Sequence, residues 1–151
     1  MSGVADRLQP AVRLAPAKVN LTLAVVGVRP DGFHALHSVM VPVGLHDRLS
    51  VAPAAGAEDT LHVTGADTGP LADNLVLRGI AAARRAVAQV HGPAVATPRL
   101  AARLEKHIPV AAGLAGGSSD GAAAIEAALE AWGTDLPGPV RLATAAALGS
   151  D

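Results

Sequence analysis

Residues 11–28 read as one extended segment. From Ala17 onward polar and apolar positions alternate, with Ala17, Val19, Leu21 and Leu23 on one face and Lys18, Asn20 and Thr22 on the other. A period of two is that of a strand with one face toward a core. Arg29-Pro-Asp-Gly32 predicts a turn, because Pro presets φ and Gly accepts a positive φ. Apolar runs over 36–43 and 49–51 predict two further strands, with Pro42 at an edge or bulge because it cannot donate to a ladder. Residues 53–59 read as a polar loop and 61–64 as a short alternating strand.

The period then changes. Asp73 or Asn74 is placed to cap a helix to about Val90, whose apolar residues at 76, 80, 83, 87 and 90 keep helical spacing while Arg78, Arg85 and Gln89 face solvent. Residues 93–98 connect it to a strand over 99–108, where Leu100, Ala102 and Leu104 alternate with Ala101, Arg103 and Glu105. A second helix, beginning near Ser118, carries Ile125, Leu129 and Trp132 as a core stripe, with Glu126 and Glu130 on another side. Residues 133–139 break it, and 140–148 form a last short helix. Several strands followed by helices describe an α+β domain, a sheet with its helices packed on one face.

Composition narrows the classes of function. A chain of 151 residues suffices for one domain with a core. Its net charge of −1 offers no electrostatic case for nucleic acid or an acidic membrane surface. The absence of cysteine excludes disulfides and thiolate metal sites. With no apolar run long enough for a bilayer and no signal-like start, the expectation is a soluble cytoplasmic protein.

The candidate chemistry centres on Pro109-Val-Ala-Ala-Gly-Leu-Ala-Gly-Gly-Ser-Ser-Asp120, a small-residue loop running into a helix. Glycines 113, 116 and 117 let backbone N–H groups approach an anion, and the helix start aims free N–H groups and the positive dipole end at the same place. That arrangement suits phosphate. The loop lacks the Gly-Lys-Ser/Thr ending of a P-loop and the spacing of a dinucleotide fingerprint. The alternative is a plain turn with Ser118, Ser119 or Asp120 as helix cap.

Other residues have two readings each. Lys18 is either an outer-face lysine or, with Asn20 two residues away on the same face, part of one polar centre. There it would lower the pKa of a substrate hydroxyl. Phe33, the only phenylalanine, sits beside a turn glycine in Asp31-Gly-Phe-His34. It either covers a loop or stacks on a ligand base, with His34 as a polar contact. Asn74 is most simply a cap, and Lys106 an exposed strand-end lysine that could flank a nucleotide.

Ala15-Pro-Ala-Lys-Val-Asn-Leu21, Gly27-Val-Arg-Pro-Asp-Gly-Phe-His34 and the 109–120 loop, in that order, resemble the 4-diphosphocytidyl-2-C-methyl-D-erythritol kinases. These belong to the galactokinase, homoserine, mevalonate and phosphomevalonate (GHMP) kinase superfamily. The loop signals the superfamily, and the two earlier motifs are more specific to the cytidyl kinases. The resemblance implies ATP-dependent phosphorylation, with Mg2+, of the 2-hydroxyl of the diphosphocytidyl alcohol in the non-mevalonate route to isoprenoids.

The resemblance also implies residue roles. Pro109, Val110, Ala111, Ala112, Gly113, Leu114, Ala115, Gly116, Gly117, Ser118 and Ser119 hold the ATP phosphates, and Asn74 and Lys106 lie near adenine. Lys18 is the active-site lysine and Asn20 a substrate-side asparagine. Phe33, where relatives usually have tyrosine, stacks on cytosine, and His34 contacts it. Ala111, Ala112 and Ala115 stand where relatives often carry glycine. Leu148-Gly-Ser-Asp151 matches the motif of the proposed catalytic base, Asp151. Residues 1–151 then correspond to the N-terminal, ATP-binding GHMP domain without a C-terminal one, and the expectation is weak or no turnover by this chain alone. A homoserine- or mevalonate-type kinase, or a non-catalytic nucleotide-binding remnant, are the alternatives.

Overall fold

A computed structural model describes residues 10–149. Two long antiparallel strands, β1 (Ala11–Val28) and β2 (His34–Pro53), are joined by the turn at 29–33. There follow β3 (Thr60–Thr64), a single 3-10 turn (Leu71–Asp73), α1 (Leu75–His91), β4 (Leu100–Glu105), α2 (Gly116–Trp132) and α3 (Gly138–Ala146). The sheet order is β1-β2-β4-β3, with β3 and β4 parallel and connected through α1.

The helices cover one sheet face, as the α+β reading requires. Ala11, Ala15, Leu49, Val51, Leu61, Leu100, Ala102 and Leu104 meet Val76, Ile80, Ala83 and Val87 of α1 and Ala124, Ile125, Ala128 and Leu129 of α2 in one core. Each large side chain so buried contributes about 1.5–3 kcal/mol. Gly79 allows α1 and α2 to approach closely, since a Cβ there would lie 2.7 Å from the Gly121 carbonyl oxygen. At the far end Arg84 grips Asp59 through two hydrogen bonds of 2.5 and 2.8 Å, and its guanidinium lies 5.1 Å over the Trp132 ring. Asp59 also accepts the Leu100 N–H, and Trp132 Nε1 donates to the Pro98 carbonyl.

Several expectations need correction. The strands at 36–43 and 49–51 are one continuous β2, and the strand at 99–108 ends at Glu105. Pro42 does lie where the expected irregularity falls: β2 is paired there only to β1, next to a register shift between Pro16 and Lys18. Leu21 and Leu23 are 63% and 59% exposed rather than in the core. The reason is length. The 18 residues of β1 span roughly 60 Å, whereas the 17 of α2 span roughly 25 Å. The helical layer therefore ends first, and the outer hairpin projects as a two-stranded ribbon. Val90 is likewise exposed in the last turn of α1. The last helix starts at Gly138, two residues before the predicted 140, with Pro139 in its first turn.

Candidate active site

The loop after β4 twists through three left-handed residues, Ala111 (φ 58°), Gly113 (φ 73°) and Ala115 (φ 57°). Such alternation turns successive N–H groups inward to a concave, anion-binding surface. For alanine it costs about 1–2 kcal/mol per residue, because Cβ crowds the following carbonyl. Glycine would avoid that cost at 111 and 115.

Helix α2 begins at Gly116, two residues earlier than predicted, and its N-cap is Ala115, with no side-chain cap. This corrects the alternative in which Ser118, Ser119 or Asp120 caps the helix. The first intrahelical bond is Ser119 N–H to the Ala115 carbonyl. The N–H groups of Gly116, Gly117 and Ser118 thus lie ahead of the helical ladder. They border a cavity of about 360 Å³, lined by residues 109–118 with Thr68, Asp73, Asn74, Leu75, Lys106 and Asp120. That volume is in the range of small-ligand sites.

Lys18 is tied to this loop. Its N–H donates to the Leu114 carbonyl at 3.1 Å, and its Nζ donates to Asn20 Oδ1 at 2.8 Å and to the Gly113 carbonyl at 3.2 Å. The structure therefore brings Lys18, Asn20 and the loop together. Asn74 is the cap of α1: its Oδ1 accepts the Val76 N–H at 2.9 Å, and its Nδ2 donates to Thr68 Oγ1. It still lines the cavity. At the other end of the chain, a Cβ on Gly149 would lie 3.8 Å from Ser118 Oγ, so α3 delivers the chain to the mouth of the loop. Asp151 lies outside the described residues.

Phe33 and His34 are not brought to the loop. They sit exposed at the hairpin tip, Phe33 62% exposed, and line none of the cavities described. Val28, paired with His34, is ten residues along β1 from Lys18, up to about 33 Å in an extended strand. Three register shifts lie along the pairing, and such shifts bend a ribbon.

Lys106 departs most from expectation. Instead of an exposed strand-end lysine it is a buried ammonium, donating to Asp47 Oδ2 at 2.5 Å and Asp120 Oδ2 at 2.8 Å. Burial disfavours its charge, but the two carboxylates, Asp120 and Asp47, outweigh this and hold its pKa above the usual lysine range. Burial would also raise Asp47. The N–H groups of Ile108 and His107, together with the Lys106 ammonium, overcome it and keep that carboxyl below its ordinary value. Asp120 has fewer donors. Burial, reinforced by Asp47, pushes it up to about 7 against the pull of Lys106.

Sequence reasoning passed over Asp47 and read Asp120 only as a possible helix cap, yet position marked all three. Lys106 shares the strand parity of Leu100, Ala102, Leu104 and Ile108, and Asp47 that of Leu49 and Val51. Asp120 is one helical turn before Ala124 on the buried side of α2.

Residues 74–151 match the family model for the GHMP kinases N terminal domain. The chain belongs to the GHMP kinase family. Among curated GHMP relatives it is 46% identical over 138 residues to the 4-diphosphocytidyl-2-C-methyl-D-erythritol kinase of Pelotomaculum thermopropionicum, covering 91% of this chain and 46% of the relative. It is 47% identical over 135 residues to the enzyme of that name from Symbiobacterium thermophilum, covering 89% and 45%. A crystal structure of 4-(cytidine 5'-diphospho)-2C-methyl-D-erythritol kinase superposes with a TM-score of 0.67 at 38% identity, over 93% of this chain and 46% of that one. Phosphomevalonate kinase from Streptococcus pneumoniae, at 10% identity and a TM-score of 0.65, shares the fold. The chain spans about half the length of the curated relatives it matches. Among the described residues, no helix is long and apolar enough to cross a membrane.

Proposed function

We propose that this chain is the ATP-binding half of a kinase that phosphorylates the 2-hydroxyl of 4-diphosphocytidyl-2-C-methyl-D-erythritol. The observation that carries the reading is the uncapped start of α2, whose leading N–H groups border a cavity behind a left-handed loop. Phosphoryl transfer asks the protein for positioning and charge stabilisation, which fixed amides provide without reorganisation. The relatives' names support the acceptor, as do Asp31-Gly-Phe-His34 and the Lys18–Asn20 pair.

In this reading the amides of residues 113–118 hold the ATP phosphates. Among the described residues no three acidic or histidine side chains form a metal site. Mg2+ would arrive with ATP as MgATP and would neutralise phosphate charge there. The acceptor 2-hydroxyl oxygen forms the new bond to the γ-phosphorus as the bond to ADP breaks, and its proton passes to Asp151. Lys18, held by Asn20 and the Gly113 carbonyl, stands beside the loop to orient that carboxylate and favour its charged form. Phe33 offers an exposed ring for the cytosine, with His34 next to it.

The test separates binding from transfer. Calorimetry with MgATP is expected to show binding by this chain. Transfer of label from [γ-32P]ATP is measured with the chain fused to the second half of the Pelotomaculum relative, offering the cytidyl alcohol, homoserine and mevalonate in turn. The cytidyl alcohol is expected to be labelled, and Lys18→Ala to lower the rate roughly 10²–10⁴-fold with MgATP affinity little changed. Labelling of homoserine or mevalonate instead would overturn the acceptor assignment.

A further inference from the structure

Beneath the loop, Asp47, Lys106 and Asp120 place two carboxylates on one ammonium, all three residues buried. The two acids are not equivalent. Asp47 is saturated, with Oδ2 on Lys106 and Oδ1 accepting the N–H groups of His107 and Ile108. Asp120 has Oδ2 on the same ammonium, while its Oδ1 is buried with no hydrogen-bond partner among the described residues. With both acids ionised the cluster carries a net negative charge that its one ammonium cannot cancel.

The cluster is also close to where an anion would sit. Lys106 Nζ lies 3.2 Å from the position a Cβ on Gly116 would occupy, directly under the first residue of α2. Lys106 and Asp120 both line the loop cavity, and Asp73 is the other titratable side chain lining it among the described residues. An anion arriving here meets a buried ammonium that is already overcommitted to carboxylates.

We propose that Asp120 is a positioning residue that takes up one proton when a polyphosphate settles in the loop, so that the Lys106 ammonium complements the bound anion. This rests on the reading of the loop as a phosphate site. Asp120 rather than Asp47 accepts the proton, because Asp47 is held ionised by two backbone amides and Asp120 by none. The proton comes from solvent and converts the carboxylate to a neutral carboxyl that still faces Lys106 through one oxygen. Burial already pushes Asp120 up to about 7, so a nearby anion moves it further and draws the proton on near neutral pH.

The direction with pH follows by linkage. Above about 7 the free protein loses the proton that the complex retains, so affinity falls as pH rises, by up to about tenfold per pH unit. The terminal phosphate of ATP resembles a phosphate monoester, whose second pKa is about 6, so at pH 8, where uptake is read, it is already largely ionised and adds little slope.

Isothermal calorimetry with ATP at pH 8, in two buffers of different ionisation enthalpy, reads proton uptake by the intact chain without any variant. The expected result is between about half and one proton taken up per ATP, and affinity falling roughly five- to tenfold between pH 7.5 and 9. Asp120→Asn, isosteric and uncharged, is expected to take up no proton and to bind ATP with constant affinity over that range. ATP binding without proton uptake, or equal uptake by the Asn variant, would overturn the coupling and leave the phosphate site standing. No ATP binding at any pH would overturn both.

Discussion

Replacing Lys106 by methionine tests whether the buried cluster holds the base of the site. Lys106→Met keeps most of the stem volume and removes both charged hydrogen bonds at Nζ. Asp47 remains ionised through the amides of His107 and Ile108, leaving a buried carboxylate without its countercharge. Breaking a buried pair by removing one partner costs about 3–5 kcal/mol. For a chain of this size each kcal/mol moves the midpoint about 2–4 °C, so the Tm is expected to fall roughly 10–15 °C at pH 8.

Proton linkage adds a second reading of the same variant. Asp120 is raised from 3.8 to about 7 in the folded protein. A raised acid contributes stability that is fully present below its unfolded value and is lost as pH rises through its folded value. Without the ammonium that pKa rises further, so the variant cannot ionise Asp120 above pH 7 as the parent can. The gap between the two should therefore widen by about 1.4 kcal/mol between pH 5.5 and pH 8. Thermal melts by circular dichroism at the two pH values are the assay. A midpoint shift under about 3 °C, or a gap that does not change with pH, would refute the argument.

Three further outcomes follow from other contacts. Gly79→Ala puts a Cβ 2.7 Å from the Gly121 carbonyl oxygen; overpacking of about 1–3 kcal/mol exceeds the helix-propensity gain of about 1, so a lower denaturant midpoint is expected. Ala115→Gly relieves a left-handed alanine and is expected to stabilise by about 0.5–1 kcal/mol net of glycine's entropy, read as a higher Tm. Asp59 is held below its ordinary value: burial works against this, and Arg84, the Leu100 N–H and Arg99 prevail. Its contribution is present above the unfolded value and disappears as pH falls through the folded one. Asp59→Asn should thus cost about 1.5–3 kcal/mol at pH 7 and little in strong acid, in chemical denaturation followed by Trp132 fluorescence.

The sequence was legible where one local rule acted alone. Asn74 caps α1 because its side chain reaches the Val76 N–H, and Leu100, Ala102 and Leu104 alternate into the core as a half-buried strand must. The loop announced itself through its glycines. Lys106 did not, because a charged residue on a buried parity is improbable alone. It becomes stable only with Asp47 from β2 and Asp120 from α2, partners 59 and 14 residues away. Leu21 and Leu23 misled for the complementary reason: alternation shows which face a side chain takes, but not whether another layer extends that far. Left-handed Ala111 and Ala115 were hidden in the residue type, since alanine carries no signal for positive φ; only the resemblance, with glycine often at both positions, pointed there.

The proposed site stands or falls on the seating of the ATP phosphates in the 109–118 loop. Its most direct measurement is a titration of the isotope-labelled chain with MgATP, followed by amide nuclear magnetic resonance. The largest shifts are expected at the amides of Gly113, Gly116, Gly117 and Ser118, with smaller ones at Lys18 and Asn20. Saturating MgATP that leaves those amides unmoved, or shifts confined to the β1–β2 ribbon, would contradict it.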